Sequence, residues 1–132
     1  MTEANVETLR LGYAALNRGD VSGVLEMIAP DIAWHSGQGT PEGEDGRGRE
    51  SFRRFLDSWL DSFDDFRVEP EEIIDRGEHL VAVVRQSGRG RASGVEVAIR
   101  IAHVWTIAGD QAVGWHGYPN QETALQAIGA ET

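Results

Sequence analysis

The sequence predicts an α+β domain in which three to four helices pack against a curved antiparallel sheet. Three observations carry this. Up to residue 66 the apolar residues recur at spacings of three and four. After Pro70 they alternate with a period of two. Turns at Arg76-Gly77, Gly88 to Gly94 and Gly109-Asp110 separate the alternating runs closely enough to join antiparallel neighbours. With 132 residues and 40% apolar composition, residues 1–132 make one domain with a real core.

The elements follow in order. Val6, Leu9, Tyr13 and Leu16 share one face of a first helix, which Asn17-Arg18-Gly19 should end through a left-handed glycine. Asp20 can cap a second helix carrying Val21, Val24, Leu25 and Ile28, with Pro30 as its stop. Asp31 to Ser36 reads as a short strand, and residues 37 to 49 as a glycine-rich loop, either a lid over a pocket or a long connection. Phe52, Phe55, Leu56, Trp59, Leu60, Phe63 and Phe66 form the stripe of a long third helix that holds all four phenylalanines. Strands are expected over 71–75, 80–86, 95–107 and 112–118, then a last helix over 121–128 capped by Asn120.

Composition excludes whole chemistries. There is no cysteine, and all twelve basic residues are arginine. A thiolate nucleophile, a disulfide, a Schiff-base lysine and a phosphate-loop lysine are therefore impossible. Four histidines at 35, 79, 103 and 116 lack paired ligand spacing, so no metal and no other cofactor is expected. A formal net charge of -10 disfavours nucleic acid and anionic membranes as partners. With no membrane-length apolar run and no basic leader at the N-terminus, the expectation is a cytoplasmic protein.

Strand alternation then places side chains. Val95, Val97, Ile99, Ile101, His103, Trp105 and Ile107 share the face towards the helices, making His103 the lone ionisable group on an apolar stripe. Such a histidine is either buried against a partner or lines a cavity. In the last strand Trp115 turns inward and His116 outward, with Tyr118 on the outer surface; in the first, Trp34 and Ser36 turn inward and His35 outward. The parity of residues 80–87 stays open, so Arg85 is either a surface residue or a buried anchor for an anion.

Four segments then matter together: Tyr13-Ala-Ala-Leu-Asn-Arg-Gly-Asp20, Ala29-Pro-Asp-Ile-Ala-Trp34, Ala102-His-Val-Trp-Thr-Ile107 and Tyr118 to Leu125. In these the chain resembles the SnoaL-like branch of the nuclear-transport-factor-2-like superfamily, over nearly its whole length. The resemblance implies a cone-shaped fold, with a strongly curved sheet wrapped around the long helix and enclosing one pocket. It also implies a homodimer through the outer sheet face. The superfamily includes isomerases, polyketide cyclases, dehydratases, epoxide hydrolases and non-enzymatic proteins on one scaffold.

Matched position by position, the ketosteroid isomerase pattern of a base Asp with a Tyr and a protonated Asp meets Ser36, Gly12 and His103 here, with Tyr13 one residue out of register. A serine cannot replace a carboxylate base with a pKa of about 4. The polyketide cyclase pattern expects an acid on the last strand, but none lies between Asp110 and Glu122. The epoxide hydrolase set fails because Leu80 to Ile107 holds only Glu96 as an acid. What remains is a pocket walled by Trp34, Phe55, Trp59, Trp105 and Trp115, with Ser36 and His103 as polar groups. Desolvation should keep His103 neutral, able to act as a base or to donate a hydrogen bond to an enolate. Two functions fit such a small-molecule site: isomerase-, cyclase- or dehydratase-type proton transfer by His103 on an apolar or polycyclic substrate, or ligand binding or sensing without chemistry.

Overall fold

A computed structural model describes residues 2–36 and 44–130. The elements are α1 (Thr2–Asn17), α2 (Val21–Leu25), β1 (Ile28–Ser36), β2 (Glu44–Arg47), α3 (Arg49–Ser62), β3 (Phe63–Arg76), β4 (His79–Gly90), β5 (Glu96–Ala108), β6 (Gln111–Tyr118) and α4 (Gln121–Ala130). The strands form one sheet in the order β2-β1-β6-β5-β4-β3. All neighbours are antiparallel except β1 and β6, which run parallel. Register shifts within the β1–β6, β3–β4 and β5–β6 pairs bend the sheet, because an extra residue on one strand sharpens its twist. Among the described residues no helix is long and apolar enough to cross a membrane.

Local signals explain the N-terminal half. Gly19 adopts φ 77 after α1, and the Asp20 side chain accepts from the Gly23 amide at 3.0 Å to start α2. Asn17 ties this corner to the sheet: its amide group donates to the Val68 carbonyl at 3.0 Å and accepts from the Val68 amide at 2.7 Å. Helix α2 is shorter than its apolar spacing suggests. Ile28 belongs to β1 and pairs with Ala112, so sheet pairing ends the helix before Pro30 is reached. Pro30 sits within β1, where the register shift between Ile28 and Ala33 spares it from donating a ladder hydrogen bond.

Two further boundaries differ from the sequence expectation. The predicted loop over 37–49 contains β2 and the start of α3; its residues 37–43 lie outside the described residues. Gly46 of β2 faces Trp34, and an added Cβ would come within 2.6 Å of the indole. The position therefore suits a residue without a side chain. The long third helix stops at Ser62, so Phe63 and Phe66 belong to β3. The apolar spacing runs on unbroken because Trp59, Phe63 and Phe66 stack on one another across the helix-to-strand junction. The Ser62 carbonyl is taken by the Arg91 amide at 3.0 Å, and Asp65 at φ 54 lies at the register shift between Asp64 and Arg67 within β3.

The core lies between the helices and the concave side of the sheet, with Leu9, Tyr13, Leu16, Phe52, Phe55, Leu56, Leu80, Ala82, Val84 and Trp105 in one cluster. The helices do not all share that side. In α4, started by Asn120 accepting from the Thr123 amide at 2.8 Å, Ala124 and Ile128 cover Val81, Ala102 and Val104 on the convex face. Hence residues 80–84 are buried on both parities. Arg85 lies just beyond that cover and is exposed, which settles its parity in favour of a surface residue. It stands opposite Arg100, whose guanidinium pairs with Glu71.

Candidate functional site

Between α1, α3 and the concave sheet lies a cavity of about 230 Å³. Phe52, Phe55, Leu56 and Trp59 come from α3, Gly12, Tyr13 and Leu16 from α1, and Ile99, Ile101, His103, Trp105 and Trp115 from β5 and β6. Ile99 is 45% exposed, and Trp59, Phe66 and Gln86 are half-buried, which marks the side on which the cavity opens. No described lining residue is a carboxylate, a lysine or an arginine. The titratable side chains that face the cavity are Tyr13 and His103. Tyr118 touches it beside Gly117 and Pro119, but its ring stacks on His116 and packs against the convex-face cluster, as alternation requires.

The residues expected at the site divide as follows. Ser36, Phe55, Trp59, Trp105, Trp115 and His103 line the cavity. Trp34 does not. It turns inward, but Phe55 stacks over it at 4.6 Å and its indole N–H donates to Ser51 Oγ at 2.7 Å, so it packs behind the wall. His35 and His116 stack on each other at 6.3 Å on the opposite side of their strands, as alternation requires. No group of three or more metal-ligating side chains occurs among the described residues.

Sequence matching missed Tyr13. Gly12 and Tyr13 both reach the cavity wall, and the phenol rather than the glycine occupies the polar position. Its oxygen lies 2.7 Å from His103 Nδ1 and accepts from the Trp105 indole N–H at 3.0 Å. The phenol and imidazole rings are nearly parallel, at 15°, and Trp115 tilts against the imidazole at 4.9 Å. The signal was present in the helical spacing: Leu9, Tyr13 and Leu16 share a face, and the phenol is the one polar tip on it.

His103 is 6% exposed, and burial pushes its pKa down from 6.5 to about 3. The imidazole is thus neutral at pH 7. Burial pushes the Tyr13 phenol the other way, well above its ordinary value, with the Trp105 hydrogen bond opposing in part. Both groups therefore meet the cavity uncharged. What the site offers is an apolar, aromatic enclosure with one neutral imidazole held by a phenol.

Comparison with known proteins agrees with this architecture. The family model for the SnoaL-like domain matches residues 9–115. An NTF2-like protein of unknown function from Burkholderia pseudomallei is 25% identical, with 95% of this chain and 97% of that chain covered and a TM-score of 0.79. A candidate SnoaL-like polyketide cyclase from a Jannaschia species is 22% identical, covering 97% and 93%, with a TM-score of 0.76. A ketosteroid isomerase-like fold from Catenulispora acidiphila, in complex with trimethylamine, is 15% identical, covering 93% and 92%, with a TM-score of 0.77. No curated protein matches the chain.

Proposed function

Because the chain belongs to the SnoaL-like domain family, we propose that its cavity binds a compact, largely apolar small molecule of two or three rings, with His103 as the principal polar contact. The observation that carries this reading is the wall itself: aromatic and aliphatic side chains around one neutral imidazole, with no carboxylate among the described lining residues. Ligand sites are typically apolar enclosures with a few placed polar groups. The volume of about 230 Å³ falls below the ~300–1,000 Å³ usual for drug-sized ligands, which favours a small ring system over a large polycycle.

A second reading adds chemistry: isomerase-, cyclase- or dehydratase-type proton transfer at His103, without metal or organic cofactor. It is favoured by the burial of an ionisable group exactly where a substrate would lie, since structural histidines need no cavity. Native mass spectrometry of the purified protein tests both readings by identifying a co-purified molecule. If that molecule is converted on incubation with the protein, His103→Ala should lower turnover by about 10²-fold or more. Full turnover in the variant contradicts the second reading. Recovery of the molecule unchanged supports binding alone.

A further inference from the structure

We propose that the Trp105–Tyr13–His103 chain fixes His103 as a hydrogen-bond donor towards the cavity, so that the site takes its ligand through an acceptor oxygen such as a ketone or quinone carbonyl. This rests on the binding reading above and narrows its ligand class.

The argument follows the protons. An indole N–H can only donate, so Trp105 uses one acceptor direction of the Tyr13 oxygen. A phenol has one further favourable in-plane direction, and His103 Nδ1 occupies it at 2.7 Å. That length is usual for a hydroxyl donor, whereas N–H donors lie nearer 2.9–3.0 Å. The hydroxyl proton therefore sits between Tyr13 and Nδ1. With the opposite assignment, two N–H groups would point at one phenol oxygen. The phenol proton would then lack an acceptor among the described residues, inside an apolar wall.

A neutral imidazole that accepts at Nδ1 carries its proton at Nε2. No hydrogen bond to Nε2 occurs among the described residues, and no fully buried side-chain nitrogen or oxygen there lacks a partner. Nε2 is thus open to the cavity that His103 lines. It donates to a carbonyl or a developing enolate oxygen. It has no lone pair with which to take a proton from carbon, so the tautomer opposes a base role. Tyr13 is then a positioning residue, acting on the ligand through the imidazole.

Two measurements test this separately from the binding reading. The first uses ligand-free, ¹⁵N-labelled protein at pH 7, with long-range proton–nitrogen spectra of the histidine rings. The expected result is a protonated Nε2 and an unprotonated Nδ1 on His103, with Tyr13→Phe shifting population towards the Nδ1–H form. A wild-type His103 that is protonated at Nδ1, or a tautomer unmoved by Tyr13→Phe, overturns the inference. The second titrates tryptophan fluorescence with 2-acetylnaphthalene and with 2-isopropenylnaphthalene, which replaces the carbonyl oxygen by a methylene of similar shape. The ketone should bind about tenfold more tightly, the scale of one buried hydrogen bond, and His103→Phe should remove the preference. Equal affinity for the two probes overturns the donor assignment while leaving the pocket intact. Binding of neither, with the Nε2–H tautomer observed, overturns the binding reading instead.

Discussion

Between pH 7 and pH 4 the protein should lose about 3 kcal/mol of stability through His103 alone. In the unfolded chain this imidazole takes a proton near pH 6.5, whereas burial in the fold delays protonation to about 3. Between those values the unfolded state binds one proton more than the native state, so stability rises with pH in that window. The contribution is fully present above 6.5 and is lost as the pH falls, the loss reaching about 4 kcal/mol near pH 3. No carboxylate or arginine in the described wall offsets this, and burial holds the Tyr13 phenol in its neutral form. The Glu71 carboxyl, held low by its hydrogen bond to Arg100, is exposed and pushes in the same direction. Urea midpoints at pH 7 and pH 4 for wild type and His103→Gln separate the effects, because the variant keeps every carboxylate. Wild type should lose about 3 kcal/mol more than the variant; equal losses would mean that His103 is not a buried neutral imidazole.

The second large effect is at Phe52. Its ring is 1% exposed and lies within 6.0–6.3 Å of Trp34, Phe55, Trp105 and Trp115, between α3 and the sheet. Phe52→Ala removes the contact that holds four other rings in place, and such truncations cost about 3–5 kcal/mol when the site cannot collapse. Because Phe52 also lines the cavity, the variant should weaken 2-acetylnaphthalene binding as well as lower the urea midpoint. A change below about 1 kcal/mol would show that the aromatic cluster relaxes around the gap.

Much of this architecture is legible in the chain, and the misreadings have physical causes. Period and turn chemistry locate the long β4, β5 and β6 and the inward turn of Ile101, His103 and Trp105, because a half-buried strand has to alternate. Val95, Val97 and Ile99, expected on the same covered face, are instead exposed because the helices do not reach that end of β5. The end of α3 is not legible, since Trp59, Phe63 and Phe66 keep helical spacing across a junction that is set by a tertiary hydrogen bond at Ser62. The short β2 carries no apolar alternation of its own and owes its place to pairing with β1. The packing of α4 on the convex face is hidden because Val81, Ala102 and Val104 look like ordinary members of strands covered from one side.

At the site, His103, Trp105 and Trp115 follow from strand parity. Tyr13 does not, because its role depends on how α1 crosses β5, a relation between residues about ninety positions apart. Trp34 faces the right way yet lies one layer too deep, a distinction that parity alone cannot make. The placement of the acids is the more durable lesson. The chain holds 22 carboxylates, and none of the described ones lines the cavity.

The central claim is that this cavity is a ligand site organised around His103. Intermolecular nuclear Overhauser contacts between bound 2-acetylnaphthalene and the protein test it most directly. The account predicts contacts from the naphthalene ring to Phe55 and Trp115, and from the acetyl methyl group to the His103 ring. Contacts confined to the convex face around His35 and α4, or no binding at all, would contradict it.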